Sequence, residues 1–377
     1  MSMAASMPDI GKGAAAQLGK TSPWPDRRLL DLLGIELPIL LAPMAGAVGA
    51  PMAIAVAEAG GLGALPCALL SSDQIRAEVG VIRRATSRPL NMNFFCHEPA
   101  AFDPGRETAW RQRLASYYTE LGLDPGMATP SAKLAPFDAA ACDLLTELKP
   151  AVVSFHFGLP APDLLHRVKA TGAKILSSAT TVDEARWLED YGCDAVIAQG
   201  LEAGGHRGMF LSRDVATQAG TMALVPQVVD AVKLPVIAAG GIGDARGIAA
   251  AFALGASAVQ MGTAFLLCTE ARTATPHRQA LRTARDNQTV ITNVFSGRPA
   301  RAVVNRATRE LGPLCEEAPA FPLAGNALAP LRAKAESLDS DDFTPLWAGQ
   351  AAGLARGLPA GQLTRLLAAE TLAKLVR

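Results

Sequence analysis

The sequence lacks an excess of either charge, and this excludes several classes of protein. Its 35 lysine and arginine residues balance 35 aspartate and glutamate residues, so the formal net charge at pH 7 is zero. A chain without a net positive field attracts neither a phosphate backbone nor an anionic membrane surface. We therefore expect no nucleic-acid partner. With 50% hydrophobic and 19% charged residues, the composition also excludes extended disorder.

Closely spaced cysteines and long apolar runs are missing as well. The six cysteines lie far apart, with no CxxC and no Cys/His pair at zinc-finger spacing, which predicts buried thiols in a reducing compartment and no metal site. No apolar stretch of about 18 residues is free of charge, so no membrane span is expected. Residues 1–26 lack the apolar run of a signal peptide and are predicted to be a flexible tail on a cytoplasmic protein.

What the sequence does contain is a series of eight short, continuous apolar runs bounded by glycine or proline. Such runs are typical of parallel strands that are covered on both faces. The predicted strands are residues 38–44, 61–66, 89–95, 151–158, 174–180, 195–200, 236–241 and 258–263. Helices are predicted between most of them, at 48–59, 72–84, 161–171, 181–191, 221–232 and 244–254. Eight strand–helix repeats predict an α/β protein with a (β/α)8 TIM barrel.

Two segments do not fit this repeat. Residues 97–150 carry helical signals at 110–121 and 139–148, which predicts a helical excursion after strand 3. Residues 270–344 predict a small C-terminal helical subdomain, and residues 346–377 are predicted to return to the barrel as its last helix. The barrel domain would then comprise residues 27–269 and 345–377. An open Rossmann-like sheet is the competing architecture, but no GxGxxG motif follows the first strand.

Glycines follow two neighbouring predicted strands, the seventh and the eighth. Gly240 and Gly241 end one strand, and Gly262 with Thr263 ends the next. Phosphate binds where several backbone N–H groups converge near a helix N-terminus, and a Cβ atom would block that approach. TIM barrels often carry a phosphate site after these two strands. The glycines therefore predict a phosphate site, with simple tight turns as the alternative.

Two carboxamide side chains, Asn93 and Gln199, end apolar strands. An amide is costly to bury without partners, and it offers both a donor and an acceptor. This pattern matches the edge of a heterocycle such as a flavin ring. A structural amide that pins a loop is the alternative. Met44, beside Pro43, is positioned to cover one face of such a ring, although a methionine is more often core filler.

His206 is the predicted acid/base residue. It lies in a loop with Gly204, Gly205 and Gly208, so the backbone can approach a ligand closely while the imidazole reaches inward. An ordinary histidine pKa near 6.5 allows proton transfer at neutral pH. Glu202 and Arg207, in the same loop, are expected to be salt-bridged supports.

The other four histidines are weaker candidates. His156 and the neighbouring Phe157 stand at a strand end and are predicted to line the substrate pocket. His97 lies on the excursion. His166 and His277 are expected at solvated helix positions. No second histidine or carboxylate stands at metal-ligand spacing, so no metal is predicted.

Taken together, these segments resemble the FMN-dependent nitronate monooxygenases, formerly called 2-nitropropane dioxygenases. The likeness spans about residues 37–265 and resumes in FSGRPAR at 295–301 and WAGQ at 347–350. The matching motifs in the barrel are APMAG at 42–46, NFF at 93–95, SFHFG at 154–158, EAGGHRG at 202–208, AGGI at 239–242 and QMGT at 260–263.

The resemblance implies an enzyme that oxidises alkyl nitronates, such as propionate 3-nitronate, with dioxygen to a carbonyl compound and nitrite. His206 would act as base towards a neutral nitroalkane or would orient the nitronate. The chain would be a monomer or a homodimer. The residues expected to contact FMN are Pro43, Met44, Asn93, Gln199, Gly204, Gly205, Gly240, Gly241, Gln260, Met261, Gly262 and Thr263.

Three other functions remain open at this stage. An FMN-dependent NAD(P)H:quinone or enoyl-thioester reductase would use nearly the same cofactor residues. A colourless phosphate-sugar lyase or synthase would use the phosphate site alone. A non-catalytic ligand-binding barrel would show no turnover.

Overall fold

Eleven strands and thirteen helices make up the described part of the chain, residues 23–129 and 134–376 of a computed structural model. The strands are β1 Ile39–Leu41, β2 Gly63–Pro66, β3 Leu90–Phe95, β4 Val152–His156, β5 Lys174–Ala179, β6 Ala195–Gln199, β7 Gly205–His206, β8 Val236–Ala239, β9 Ala258–Met261, β10 Thr289–Thr292 and β11 Ala300–Val303. The helices are α1 Arg28–Leu33, α2 Ala50–Glu58, α3 Ser72–Ala85, α4 Pro104–Glu120, α5 Ala139–Leu148, α6 Pro162–Ala170, α7 Val182–Asp190, α8 Thr221–Ala231, α9 Ala245–Ala253, α10 Thr275–Thr283, α11 Arg306–Glu310, α12 Ala324–Ser337 and α13 Ala360–Leu375.

Eight of these strands form a parallel barrel. Their spatial order is β1-β9-β8-β6-β5-β4-β3-β2, and a parallel bridge between Leu40 and Leu62 joins the two ends. Every residue of β1, β2, β6 and β8 is buried, as continuous apolar runs require. The TIM-barrel prediction is therefore confirmed.

Local sequence signals set many of the helix starts. Ser71 accepts a hydrogen bond from the backbone N–H of Gln74 and forms a capping box at α3, while Asp138, Thr181 and Asp244 cap α5, α7 and α9 in the same way. A capping side chain satisfies a backbone donor that the first helical turn leaves free. These caps fix the residue at which each of the four helices begins.

A second, smaller sheet was not predicted. Strands β10, β11 and β7 pair in that order, all antiparallel. The segment 270–344 therefore contributes two strands in addition to its helices. Because β7 is only two residues long and its partner lies about 90 residues away, apolar periodicity carries no signal for this pairing.

A second apolar core lies beside the barrel. Trp110 and Tyr118 of α4 pack against α12, where the Trp110 indole Nε1 donates to the carbonyl of Ala324 at 3.0 Å and the Tyr118 hydroxyl donates to that of Ala327 at 2.6 Å. The predicted excursion and the segment before α13 thus share one core. The predicted last helix corresponds to α13, which packs on α2 and α9.

Most of the predicted tail lies outside the described residues. Within its last few residues, Trp24 is buried against Phe252, with ring centroids 5.8 Å apart. All six cysteines are free thiols, five of them buried and Cys96 partly exposed. In the described chain, no helix combines the length and the apolar character that a membrane crossing requires.

Candidate active site

A cavity of about 460 Å³ opens at the C-terminal ends of the barrel strands. This volume lies in the ordinary range for a small-molecule or cofactor site. Of the predicted site residues, two lie outside its wall: Met261 is buried in the barrel core and Phe157 lies behind the wall. The predicted residues that line the cavity are Pro43, Met44, Asn93, His156, Gln199, Gly204, Gly205, His206, Gly240, Gly241, Gln260, Gly262 and Thr263.

His206 lies in β7, where it pairs with Ala300 of β11. Its ring is surrounded by aromatic side chains, with centroid separations of 5.2 Å to Phe321, 5.4 Å to Trp347 and 6.1 Å to Phe157. The imidazole Nε2 lies 2.9 Å from the hydroxyl oxygen of Ser296. The side chain therefore has one polar partner within an otherwise apolar cage.

This cage determines the charge of His206. Burial lowers its pKa to about 3, and electrostatic interactions with His156, Arg298 and His97 act in the same direction. Desolvation penalises the charged imidazolium, and neighbouring cations penalise it further. His206 is therefore neutral at physiological pH, with one nitrogen that donates and one that accepts a hydrogen bond.

His156 supports the backbone beside His206. Its Nε2 lies 3.2 Å from the carbonyl oxygen of His206, and its Nδ1 lies 3.0 Å from the hydroxyl of Ser178. Because a carbonyl can only accept, Nε2 carries the proton and Nδ1 accepts from Ser178. Burial, the largest effect, lowers the pKa of His156 to about 3. It therefore acts as a neutral donor to the His206 backbone.

Gln199 holds the same backbone from the end of β6. Its amide nitrogen donates to the carbonyl of His206 at 3.1 Å, and its amide oxygen accepts from the N–H of Gly208 at 2.8 Å. This is the loop-pinning amide that the sequence left open as an alternative. Asn93 donates to the carbonyl and the hydroxyl of Ser154 at 3.2 and 2.9 Å. Both amides thus have defined orientations in the cavity wall.

Arg207 is fully buried and fixes the loop to β6. Its guanidinium donates to the carbonyls of Gln199 and Gly200 at 2.8 and 2.9 Å and to the amide oxygen of Gln218 at 2.7 Å. Glu202 instead accepts from the backbone N–H and the hydroxyl of Thr221. The expectation that Glu202 and Arg207 are salt-bridged is wrong, because each side chain satisfies neutral groups on a different side of the loop.

The expectation of a solvated position for His277 is also wrong. His277 is half-buried, lines the cavity and donates through Nε2 to the carbonyl of Trp347 at 3.1 Å. Burial, the largest effect, lowers its pKa to about 4. His166 is exposed on α6, as predicted. His97 is buried edge-on against Phe321, with centroids 4.9 Å apart.

A segment of six residues, 345–350, crosses the cavity mouth and is here named the strap. It joins the small sheet, the end of β9 and the loop that carries His206. Its contacts are the hydrogen bonds Val303 N–H to the Leu346 carbonyl, Ala348 N–H to the Arg301 carbonyl, Gly349 N–H to the Thr263 hydroxyl and Gln350 N–H to the Glu202 carbonyl. These bonds fix Trp347 beside His206.

Sequence patterns did not indicate Ser296, Phe321 and Trp347 as site residues. Ser296 and Trp347 stand in the FSGRPAR and WAGQ segments, which carry the family resemblance but predict no role for these two side chains. No local pattern places Phe321 at the barrel mouth. The signal for all three is tertiary, because they come from the chain after β9 and fold back over a histidine in an earlier loop.

The glycines after β8 and β9 offer free backbone donors. Within the described residues, the N–H groups of Gly240, Gly241, Gly262 and Thr263 have no protein acceptor. Gly240 and Gly241 have φ values of 108° and 69°, which favour glycine. A Cβ atom at Gly240 would lie 3.0 Å from the nitrogen of Ala203. Several N–H groups without partners that line one cavity fit a phosphate.

Gln260 supplies a second observation in favour of a polar ligand. Its side-chain oxygen is buried and has no hydrogen-bond partner in the described chain, although the residue lines the cavity. An unsatisfied buried acceptor costs about 1–3 kcal/mol. A planar group with an N–H on its edge would satisfy it, so the cavity fits a phosphorylated, planar heterocycle.

Comparisons with known proteins agree with this geometry. A family described as nitronate monooxygenase matches residues 26–370. The nitronate monooxygenase of Pseudomonas aeruginosa is 43% identical over 91% of this chain and 98% of its own. The solved structure of nitroalkane oxidase from Streptomyces ansochromogenes is 39% identical, with a TM-score of 0.84 over 93% of this chain and 100% of its own.

A further solved structure bears on the reductase alternative. FabK from Thermotoga maritima is 30% identical, with a TM-score of 0.70 over 93% of this chain and 97% of its own. Its identity and TM-score are lower than those of the nitroalkane oxidase. The family resemblance predicted from the motifs is confirmed by the match over residues 26–370, and this chain belongs to the nitronate monooxygenase family.

Proposed function

We propose that this protein uses FMN to oxidise alkyl nitronates with dioxygen, releasing a carbonyl compound and nitrite. Family membership and 43% identity to a nitronate monooxygenase support nitronate oxidation. The family is one of flavin enzymes, so the protein is a flavin-dependent oxidoreductase. The choice of FMN rests on the free N–H groups after β8 and β9, which suit a single terminal phosphate.

Residues of this chain provide a separate site for each part of FMN. The N–H groups of Gly240, Gly241, Gly262 and Thr263 would hold the phosphate. The free oxygen of Gln260 would accept from a ring N–H. Met44 would cover the ring. When bound, FMN supplies the redox chemistry that protein side chains lack, namely acceptance of electrons from the nitronate and their transfer to dioxygen.

The neutral state of His206 carries the proposal. An imidazole with a pKa of about 3 is a weak base, so it is poorly suited to remove a proton from a neutral nitroalkane. It is well suited to donate a hydrogen bond to a substrate that arrives already as an anion. Of the two roles considered from the sequence, the geometry favours orientation of a nitronate.

The reductase is the second candidate, and FabK from Thermotoga maritima is the observation that favours it. The two functions differ in what reduces the flavin. The purified yellow protein is mixed anaerobically with NADH or with propionate 3-nitronate while the flavin absorbance is followed. We expect the nitronate alone to bleach the flavin. Rapid bleaching by NADH without bleaching by the nitronate would overturn the proposed function in favour of the reductase.

A further inference from the structure

Arg298 is a partly buried cation to which the proposed function gives no role. It lies between β10 and β11, two residues after Ser296. Its guanidinium carbon lies 3.9 Å from the centroid of the Phe157 ring, and Nη2 donates to the carbonyl of Met209. Its Nε is buried without a partner, and no carboxylate of the described chain lies within salt-bridge distance of it. A buried donor without a partner is costly, and so is a partly desolvated charge without a counter-ion, so the position of Arg298 requires an explanation.

Phe157 places this cation beside three histidines. The Phe157 ring centroid lies 4.5 Å from that of His156, 6.1 Å from that of His206 and 6.4 Å from that of His97. Phe157 has a φ of 72°, which is unfavourable for a bulky residue. Arg298 is therefore stacked on a ring that also contacts these three histidines, so its charge lies close to the site.

The ionisable groups around His206 are all basic. His156 approaches from β4, His97 from the segment after β3 and Arg298 from the segment before β11, and each lowers the pKa of His206. The acidic groups that act on Arg298, Glu184 and Glu98, do so without an ion pair to it. Glu184 already accepts hydrogen bonds from the backbone N–H groups of Phe210 and Leu211. Among the described groups that act on His206, the permanent charge is that of Arg298, and it is positive.

We propose that Arg298 is the electrostatic positioning residue of this site and makes the cavity select its substrate as an anion. This inference rests on the proposed function and adds the residue that distinguishes a nitronate from the neutral nitroalkane of the same carbon skeleton. The positive charge of Arg298, on a guanidinium stacked against Phe157, favours an anion beside His206. The same charge disfavours a proton on the His206 imidazole. A substrate anion then provides the negative charge that no carboxylate of the described chain supplies to Arg298.

The test compares Arg298→Met, which removes the charge, with Arg298→Lys, which keeps it. Nitrite serves as a small anionic ligand, titrated calorimetrically into the FMN-loaded protein. We expect the methionine variant to bind nitrite about tenfold more weakly, the order expected for one charge at this depth, and the lysine variant to bind it within about threefold of the parent. Equal nitrite affinities in parent and Arg298→Met would overturn the proposal.

A kinetic comparison separates an electrostatic role from a structural one. The kcat/KM for a nitronate divided by that for its neutral nitroalkane should fall about tenfold in Arg298→Met, mainly through a higher KM for the nitronate. A merely structural role would lower both values together and leave the ratio unchanged, which would contradict the proposal. If Arg298→Met does not fold, Arg298→Gln takes its place, because glutamine can still donate to the Met209 carbonyl.

The outcomes distinguish this inference from the proposed function. If the parent oxidises no nitronate, the proposed function fails, and the nitrite titration still decides whether Arg298 creates an anion site. If the parent oxidises nitronates but the variants show unchanged nitrite affinity, only the role of Arg298 fails.

Discussion

At the residue scale, His206 is defined by its surroundings more than by its identity. Burial in an aromatic cage keeps it neutral, and Ser296 at 2.9 Å gives its Nε2 one polar partner. The sequence predicted an acid/base histidine with an ordinary pKa. The lowered pKa is the reason for the role that we propose for it, because a neutral imidazole of low pKa orients an anion better than it removes a proton.

The buried histidines make a prediction for stability. The pKa values of His156 and His206 fall to about 3 and that of His277 to about 4 on folding, below the unfolded value near 6.5. As the pH falls through 6.5, these histidines bind protons in the unfolded chain but not in the folded chain. The free energy of unfolding therefore decreases. We expect a loss of about 1 kcal/mol for each histidine between pH 7.5 and 5.5.

Urea unfolding at several pH values measures this effect. His206→Asn should remove about 1 kcal/mol of the pH dependence in that window, while His166→Asn, which changes an exposed side chain of α6, should follow the parent. A parent whose free energy of unfolding does not change between pH 7.5 and 5.5 would show that these histidines are not buried in the neutral form.

At the element scale, the strap and the His206 loop meet at Gly204. A Cβ atom at this position would overlap the backbone of Ala348 and Gly349. The strap is tied to β9, β11 and Glu202 by hydrogen bonds, so it cannot shift without displacing Trp347 from the cage. Close contact between two backbones is therefore the reason for a glycine here.

Gly204→Ala should separate the two segments. We expect it to destabilise the protein by about 1–3 kcal/mol through overpacking and to reduce nitrite release by about 10- to 100-fold through misplacement of the cage. Gly80→Ala is the matched control, because a Cβ atom there would meet only the end of Arg84, at 3.5 Å, and alanine is the better helix former. Parent-like stability and turnover in Gly204→Ala would refute this contact.

The barrel elements were predictable from sequence, but the small sheet was not. All eight predicted runs contain observed barrel strands, although the run 38–44 yields only Ile39–Leu41, since Pro38 and Pro43 lack the N–H that a ladder needs. The mouth glycines and amides followed from their positions at strand ends. The contact between His206 and Ser296 joins residues 90 positions apart, and no periodic pattern encodes which distant segments meet.

At the scale of the whole molecule, the candidate active site lies where the barrel meets the second apolar core. The barrel provides the strand-end glycines and amides, while the segment after β9 provides Ser296, Phe321 and Trp347. Phe295 belongs to the second core and packs edge-on against Trp347, with centroids 5.6 Å apart. The packing of that core thus helps to hold Trp347, an apolar wall of the cage, in place. The division of the chain into domains stays a prediction.

The most direct test measures nitrite release in air from one carbon skeleton supplied in two charge states at a single pH, as a nitronate and as the freshly dissolved neutral nitroalkane. A site built around a neutral imidazole and a fixed cation should release nitrite much faster from the anion. Equal rates, or faster release from the neutral compound, would mean that His206 removes a proton after all, and the account of the cage would be wrong.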